Sequence, residues 1–211
     1  TLYPAFLQDA KSYSPYAMVY SEIYGMNQVS VQDVLHILEK NGVTVEQVIQ
    51  LPYIRDDVFN YLPVTEINRD FGCDYQIQEG EFLNLFQYNL EDGYEHNIQP
   101  VSTVTISGDR KLQSVGTDVK ILFNQNPTFA DKTLIINDSD FEKLSADITG
   151  SAGIANLFQF QNWEDSYAGV CEVKEYLQES NQLNEDEQTY YELSSKVEKY
   201  QDAKKSGQFL L

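Results

Sequence analysis

Carboxylates are the most abundant reactive groups in this sequence: 33 Asp and Glu stand against 14 Lys and Arg, with two His and two Cys. Two carboxylates facing each other across a cleft would suit glycoside hydrolysis, but nothing in the sequence sets one pair apart from the rest. Asn137-Asp138-Ser139-Asp140 has the alternation of a calcium loop. Lys143 stands where that loop needs Gly, however, and no Glu occupies its twelfth position, so helix capping is the expected role. His36 lies among apolar residues and His96 among acidic ones, and no GxSxG elbow accompanies them. Gly150-Ser151-Ala152-Gly153 lacks the Lys and the spacing of a phosphate cradle, which leaves a turn. Cys73 and Cys171 either form one disulfide, which would contribute about 4–5 kcal/mol through chain entropy, or remain two thiols. No catalytic residue, metal site or cofactor is expected, and the chain is read as a non-enzyme.

Charge is the stronger signal. The net charge of −19 makes nucleic acid and anionic membranes poor partners and a cationic one favourable. Between Asp56 and Glu95 ten carboxylates oppose Arg69 alone. Phe59, Tyr61, Phe71, Tyr75, Phe86, Tyr88 and Tyr94 are interleaved with them. Such a stretch would bind an amphipathic cationic peptide through cation–π contact and apolar burial. It would equally form a solvated acidic face over core aromatics. On the binding reading the contact residues are Asp56, Asp57, Glu91, Asp92 and Glu95, joined by Trp163, Glu164 and Asp165 around the single tryptophan.

The elements that would carry these residues follow from periodicity. At 42% hydrophobic and 13% aromatic residues, the chain has material for a core. Alternation around Tyr16, Met18 and Tyr20 predicts a strand within 11–24. Val31, Val34, Leu35 and Leu38, after Ser30 and before Asn41-Gly42, predict a capped helix. Val45 to Ile54 reads as a strand despite Pro52, and Thr65-Glu66 offers a helix start after the apolar run 58–64. The segment 76–90, the alternation from Val101 to Ile106, residues 118–123 and residues 133–136 give a β-rich middle. A helix is expected from Asn137 to about Ala146, then others over 167–179 and 185–206. Tyr190, Leu193, Val197 and Tyr200 form one stripe of the last, with Asn184 as its cap. Val64-Thr65-Glu66 recurs in type as Ile136-Asn137-Asp138, and Leu85-Phe86-Gln87-Tyr88 as Leu157-Phe158-Gln159-Phe160, both 72 residues on. The predicted class is α+β: mixed sheet with packed helices, and two lobes (about 1–100 plus 165–211, and 101–164) from a duplicated strand–helix–strand unit. No apolar run reaches the roughly 18–20 residues of a membrane span. With Thr first and Phe209-Leu210-Leu211 last, the chain reads as a domain excised from a longer protein.

The C-terminal run Ser194-Ser195-Lys196-Val197-Glu198-Lys199-Tyr200, followed by Lys204 to Leu211, resembles the segment leading into the eighth membrane helix of Bce-type ABC transporter permeases, members of the FtsX-like superfamily. Leu134 to Phe141 and Val64 to Asn68 are similar to that family's strands with acidic helix starts, and Trp163 falls where such domains often carry Trp. The resemblance covers most of the chain. It implies an extracellular domain on the outer face of the cytoplasmic membrane, inserted between two permease helices, with the last helix leading back to the membrane. It implies resistance to bacitracin and lantibiotics through recognition of the cationic peptide or its complex with a lipid-linked wall precursor. The implied partners are a cytoplasmic ATPase and a membrane histidine kinase, with ATP chemistry outside this chain. Two rivals remain: a permease domain of the same superfamily that activates a cell-wall hydrolase, and an acidic secreted hydrolase.

Overall fold

Ile49, Leu51 and Tyr53 are buried at every second position of one segment, the period-two pattern that a strand in the middle of a sheet requires. That segment is β2 (Val45–Arg55), the longest strand in a computed structural model that describes residues 16–22, 30–56, 58–86, 100–119, 133–147, 152–182 and 190–208. The other described strands are β1 (Tyr16–Glu22), β3 (Asn60–Pro63), β4 (Glu81–Phe86), β5 (Thr103–Ile106), β6 (Arg110–Val119), β7 (Thr133–Ile136), β8 (Ala152–Phe160) and β9 (Tyr190–Ser194). They form one mixed sheet in the order β5-β6-β4-β7-β3-β2-β8-β1-β9. Among the described residues five helices accompany it: α1 (Val31–Lys40), α2 (Val64–Phe71), α3 (Asp138–Asp147), α4 (Tyr167–Gln182) and α5 (Lys196–Gln208). The architecture is α+β with a mixed sheet, as the sequence predicts.

Two layers of helices enclose the sheet. On one face, Val64 and Ile67 of α2 pack on Ile49, Leu51, Leu62, Ile135 and Leu157. On the other, Val34 and Leu38 of α1 and Val170, Val173 and Leu177 of α4 pack on Val19, Phe158 and Phe160. Farther along that second face, Leu144 of α3 covers Ile54, Tyr61, Phe82 and Ile136. The side-chain alternation assigns the faces, since Leu157 and Phe158 are neighbours in β8 and point to opposite sides.

Local chemistry explains most boundaries. Ser30 Oγ accepts from Asp33 N–H at 3.2 Å to cap α1. Gly42, at φ +74°, then turns the chain so that its N–H reaches Glu39 C=O at 2.8 Å. Pro52 is tolerated in β2 because the ladder to β3 holds only at Ile54↔Tyr61 and Arg55↔Asn60, and continuing it would bring Pro52 level with Pro63. A bulge in β6 between Ser114 and Gly116 is satisfied by buried Asn84, whose amide donates to Ser114 Oγ at 2.8 Å and to Gly116 C=O at 3.2 Å.

Several expectations are corrected. The single helix expected over 185–206 is a strand followed by a helix: β9 pairs antiparallel with the outer side of β1, and α5 begins only at Lys196. Strand pairing outweighs the helical spacing of Tyr190 and Leu193, and Ser195 Oγ caps α5 by accepting from Val197 N–H at 3.2 Å. Asn184 lies outside the described residues. Ala152 and Gly153 belong to β8, opposite Ile54 and Tyr53, rather than to a turn. The strand expected from residue 118 begins at Arg110, and the segment 76–90 contributes β4 only after Gly80.

Val64 and Ile136, the paired positions of the repeat read in the sequence, both lie where a strand passes into a helix. β3 and β7 are parallel neighbours, Asn60 opposite Thr133, and each runs directly into a helix. The return strands differ: β4 lies antiparallel to β7, whereas β8 pairs with β2 and so runs in the direction of β3. Strands from 101–164 and from the rest of the chain are intermixed along the one sheet, β4 lying between β6 and β7 and β8 between β2 and β1.

Candidate functional site

Asp140 is the most deeply committed of the charged residues. Its side chain is fully buried, accepts from Gly80 N–H at 2.7 Å and pairs with Arg110 Nη2 at 2.5 Å. Arg110 also reaches Glu79 at 2.6 Å, as does Lys143 from the next turn of α3. Lys143 first, then Arg110, hold the Glu79 carboxyl below the usual glutamate range. Beside them Asn137 Nδ2 donates to Ile77 C=O and its Oδ1 accepts from Ser139 N–H, both at 3.0 Å. Asp138 caps the neighbouring helix: its Oδ1 accepts from Thr65 N–H at 3.1 Å, and its other oxygen takes the Thr65 hydroxyl. The acidic run 137–140 therefore serves as caps and anchor. It fastens the loop before β4, the start of β6 and α3 together, with the buried Asp140 carboxylate paired to Arg110.

The predicted contact residues separate. Asp56 closes a turn: Oδ1 accepts from Val58 N–H at 2.7 Å and Phe59 N–H at 2.6 Å, and Oδ2 from the Tyr61 hydroxyl at 2.7 Å. Burial, then the hydrogen bond to Asp56, push the Tyr61 phenol well up. Asp57, Glu91, Asp92, Glu95 and His96 lie outside the described residues. His36 is exposed on α1.

Trp163, Glu164 and Asp165 come together in a 3₁₀ turn between β8 and α4. Ser166 Oγ donates to Trp163 C=O at 2.7 Å, and Asn162 to the Asp165 carboxylate. Glu164 and Asp165 are exposed, while Trp163 is half-buried against the α1–α4 core. The ring meets α5. Lys196 Nζ stands 4.5 Å from its centroid, and the Tyr200 ring approaches edge-on at 5.4 Å and 87°. Lys204 Nζ in turn lies 5.0 Å from the Tyr200 centroid. Lys174 of α4 pairs with Glu198 of α5 at 2.8 Å. Next to this junction the Tyr167 phenol is raised, chiefly by its hydrogen bond with Cys171.

Cys73 and Cys171 are free thiols. Cys73 packs with the α2 core, and Cys171 lies on α4 across the sheet. Among the described residues no three His, Cys, Asp or Glu converge to hold a metal ion, and no helix is long and apolar enough to cross a membrane.

The sequence missed Arg110 and Glu79 as partners of Asp140, and Lys196 and Tyr200 as partners of Trp163. Lys196 and Tyr200 carry a local signal, four residues apart on one helical face. What they face is set by the turn between β8 and α4.

No family model and no curated protein matches the chain. Among solved structures it is similar to a 1.5 Å crystal structure of a Bacillus anthracis protein whose name calls it a lipoprotein. The TM-score is 0.43 at 10% identity, over 69% of this chain and 84% of that one. At that TM-score the likeness carries no argument about what this chain does.

Proposed function

We propose that this chain is the extracellular recognition domain of a Bce-type ABC permease. It receives a cationic antimicrobial peptide, or that peptide's complex with a lipid-linked wall precursor, on its acidic surface and passes the event through α5 to the membrane helices. ATP hydrolysis belongs to the cytoplasmic partner, and a membrane histidine kinase receives the signal.

One observation carries the reading. Lys40, Arg69, Arg110, Lys143 and Lys174 each bridge to a carboxylate within the fold, and Lys196 and Lys204 lie on aromatic rings. With those cations engaged internally, Glu46, Asp74, Glu142, Glu175 and Glu179 are among the described carboxylates that stand exposed, in a chain of net charge −19. A surface of this kind raises the local concentration of cations and speeds their encounter. The docking of α5 on the Trp163 turn supports the coupling half of the reading, because a helix clasped to the body can transmit a change in it.

The placement is tested by sequencing the natural reading frame on both sides of Thr1 and Leu211. Apolar runs of about 20 residues on both flanks are expected. A cleavable signal peptide before Thr1 with a stop after Leu211 would overturn the permease placement and bring a secreted acidic module forward.

A further inference from the structure

We infer that the Trp163 ring is a cation slot which α5 fills with its own Lys196, and that a cationic side chain of the peptide displaces that lysine and loosens α5. The inference rests on the proposed function and names its site. In a chain of net charge −19, the segment Lys196–Gln208 is unusual in carrying four lysines against Glu198 and Asp202. Lys196, Tyr200 and Lys204 are spaced by four, so they share one face of α5. With Trp163 inserted between the first two, they form a ladder of cation, ring, ring and cation. The helix thus presents to an acidic domain the chemistry of a short amphipathic cationic peptide.

The slot has the surroundings that an external cation needs. Glu164 and Asp165 are exposed on the same turn, and the exposed ring of Tyr167 follows at once. Lys196 is 8% exposed, so its ammonium gains from the ring more than a solvated lysine would. The ring's share in holding a cation is about 0.5–2 kcal/mol depending on desolvation, and a peptide offering several cations competes for that ring with the advantage of multivalency. Val197, buried in the α1–α4 core, holds the start of α5, while the Lys174–Glu198 pair beyond it is partly open to solvent and screened by salt. Displacement of Lys196 therefore frees the outer part of α5 without opening the core.

Trp163 is the single tryptophan, so its emission reports the slot directly. Hexalysine titrated into residues 1–211 at low ionic strength should shift the emission to longer wavelength as the packed ring meets solvent. Lys196→Met, which removes the internal competitor, should tighten hexalysine binding about fivefold. Lys196→Arg should restore the original affinity, and Trp163→Leu, which lacks the fluorophore and is compared with the others by titration calorimetry, should weaken binding by a similar factor. Should Lys196→Met fail to fold, Tyr200→Leu carries the same expectation of tighter binding, because it loosens α5 and leaves the ring face intact. Hexalysine binding that is equal in all variants would overturn the slot and leave the acidic-surface reading standing. Absence of binding to every variant would overturn both.

Discussion

Asp140 is buried with its charge answered by Arg110 and by the Gly80 N–H. Breaking such a pair on one side leaves the partner uncompensated, which costs more than the pair itself contributes. Asp140→Ala should therefore destabilise the domain by about 3 kcal/mol, read as a lower urea midpoint at unchanged slope. An unchanged midpoint would mean that Arg110 finds full compensation in Glu79. The capping role of the run 137–140 was legible in the sequence, because a cap is a local bond between neighbours. That Asp138 caps a helix through Thr65, 73 residues earlier, was not, since it requires β3 and β7 to be adjacent. Asp56 shows the same limit: its charge was visible, and its engagement by Val58, Phe59 and Tyr61 became visible only in the folded turn.

At the scale of elements, α1 and α4 are laced together on one face of the sheet. Glu172 accepts from Asn41 Nδ2 at 2.8 Å and pairs with Lys40 at 2.7 Å, while the Tyr176 hydroxyl donates to Asp33 at 3.0 Å. Gly169 permits the approach, since a Cβ there would stand 3.0 Å from Val43 Cγ2. The hydrogen bond from Asn41, then the one from Lys40, lower the Glu172 carboxyl below its ordinary range, as Lys143 and Arg110 do for Glu79. A carboxylate whose folded value is depressed contributes stability that is present above its unfolded value and lost as pH falls through the folded one. Acidification from about pH 6 to below the unfolded glutamate value of about 4.3 should thus lower the melting temperature, and Glu172→Gln should reduce the size of that fall. A melting temperature that is flat or rises across the window would contradict it. Helix α1 was legible because its caps and apolar spacing are local. The break between β9 and α5 was not, because Tyr190 to Ser194 have both helical spacing and strand composition, and pairing with β1, far off in sequence, decides between them.

Across the whole molecule, the sequence carried the α+β class and the sign of the charge. The pairing of nine strands into one sheet, with segments distant in sequence side by side, was out of reach of periodicity. The acidic excess is a property of the whole composition, which makes it readable without the fold. Its proposed use is the central claim, tested by calorimetric titration of residues 1–211 with bacitracin and with a cationic lantibiotic. The ionic strength would be raised from about 0.01 M to about 0.15 M, over which the screening length falls from about 30 Å to about 8 Å. Measurable binding at low salt that weakens steadily as salt rises is the predicted result. No heat with either peptide at low salt, or an affinity indifferent to salt, would contradict recognition through the acidic surface and point instead to a protein partner such as a cell-wall hydrolase.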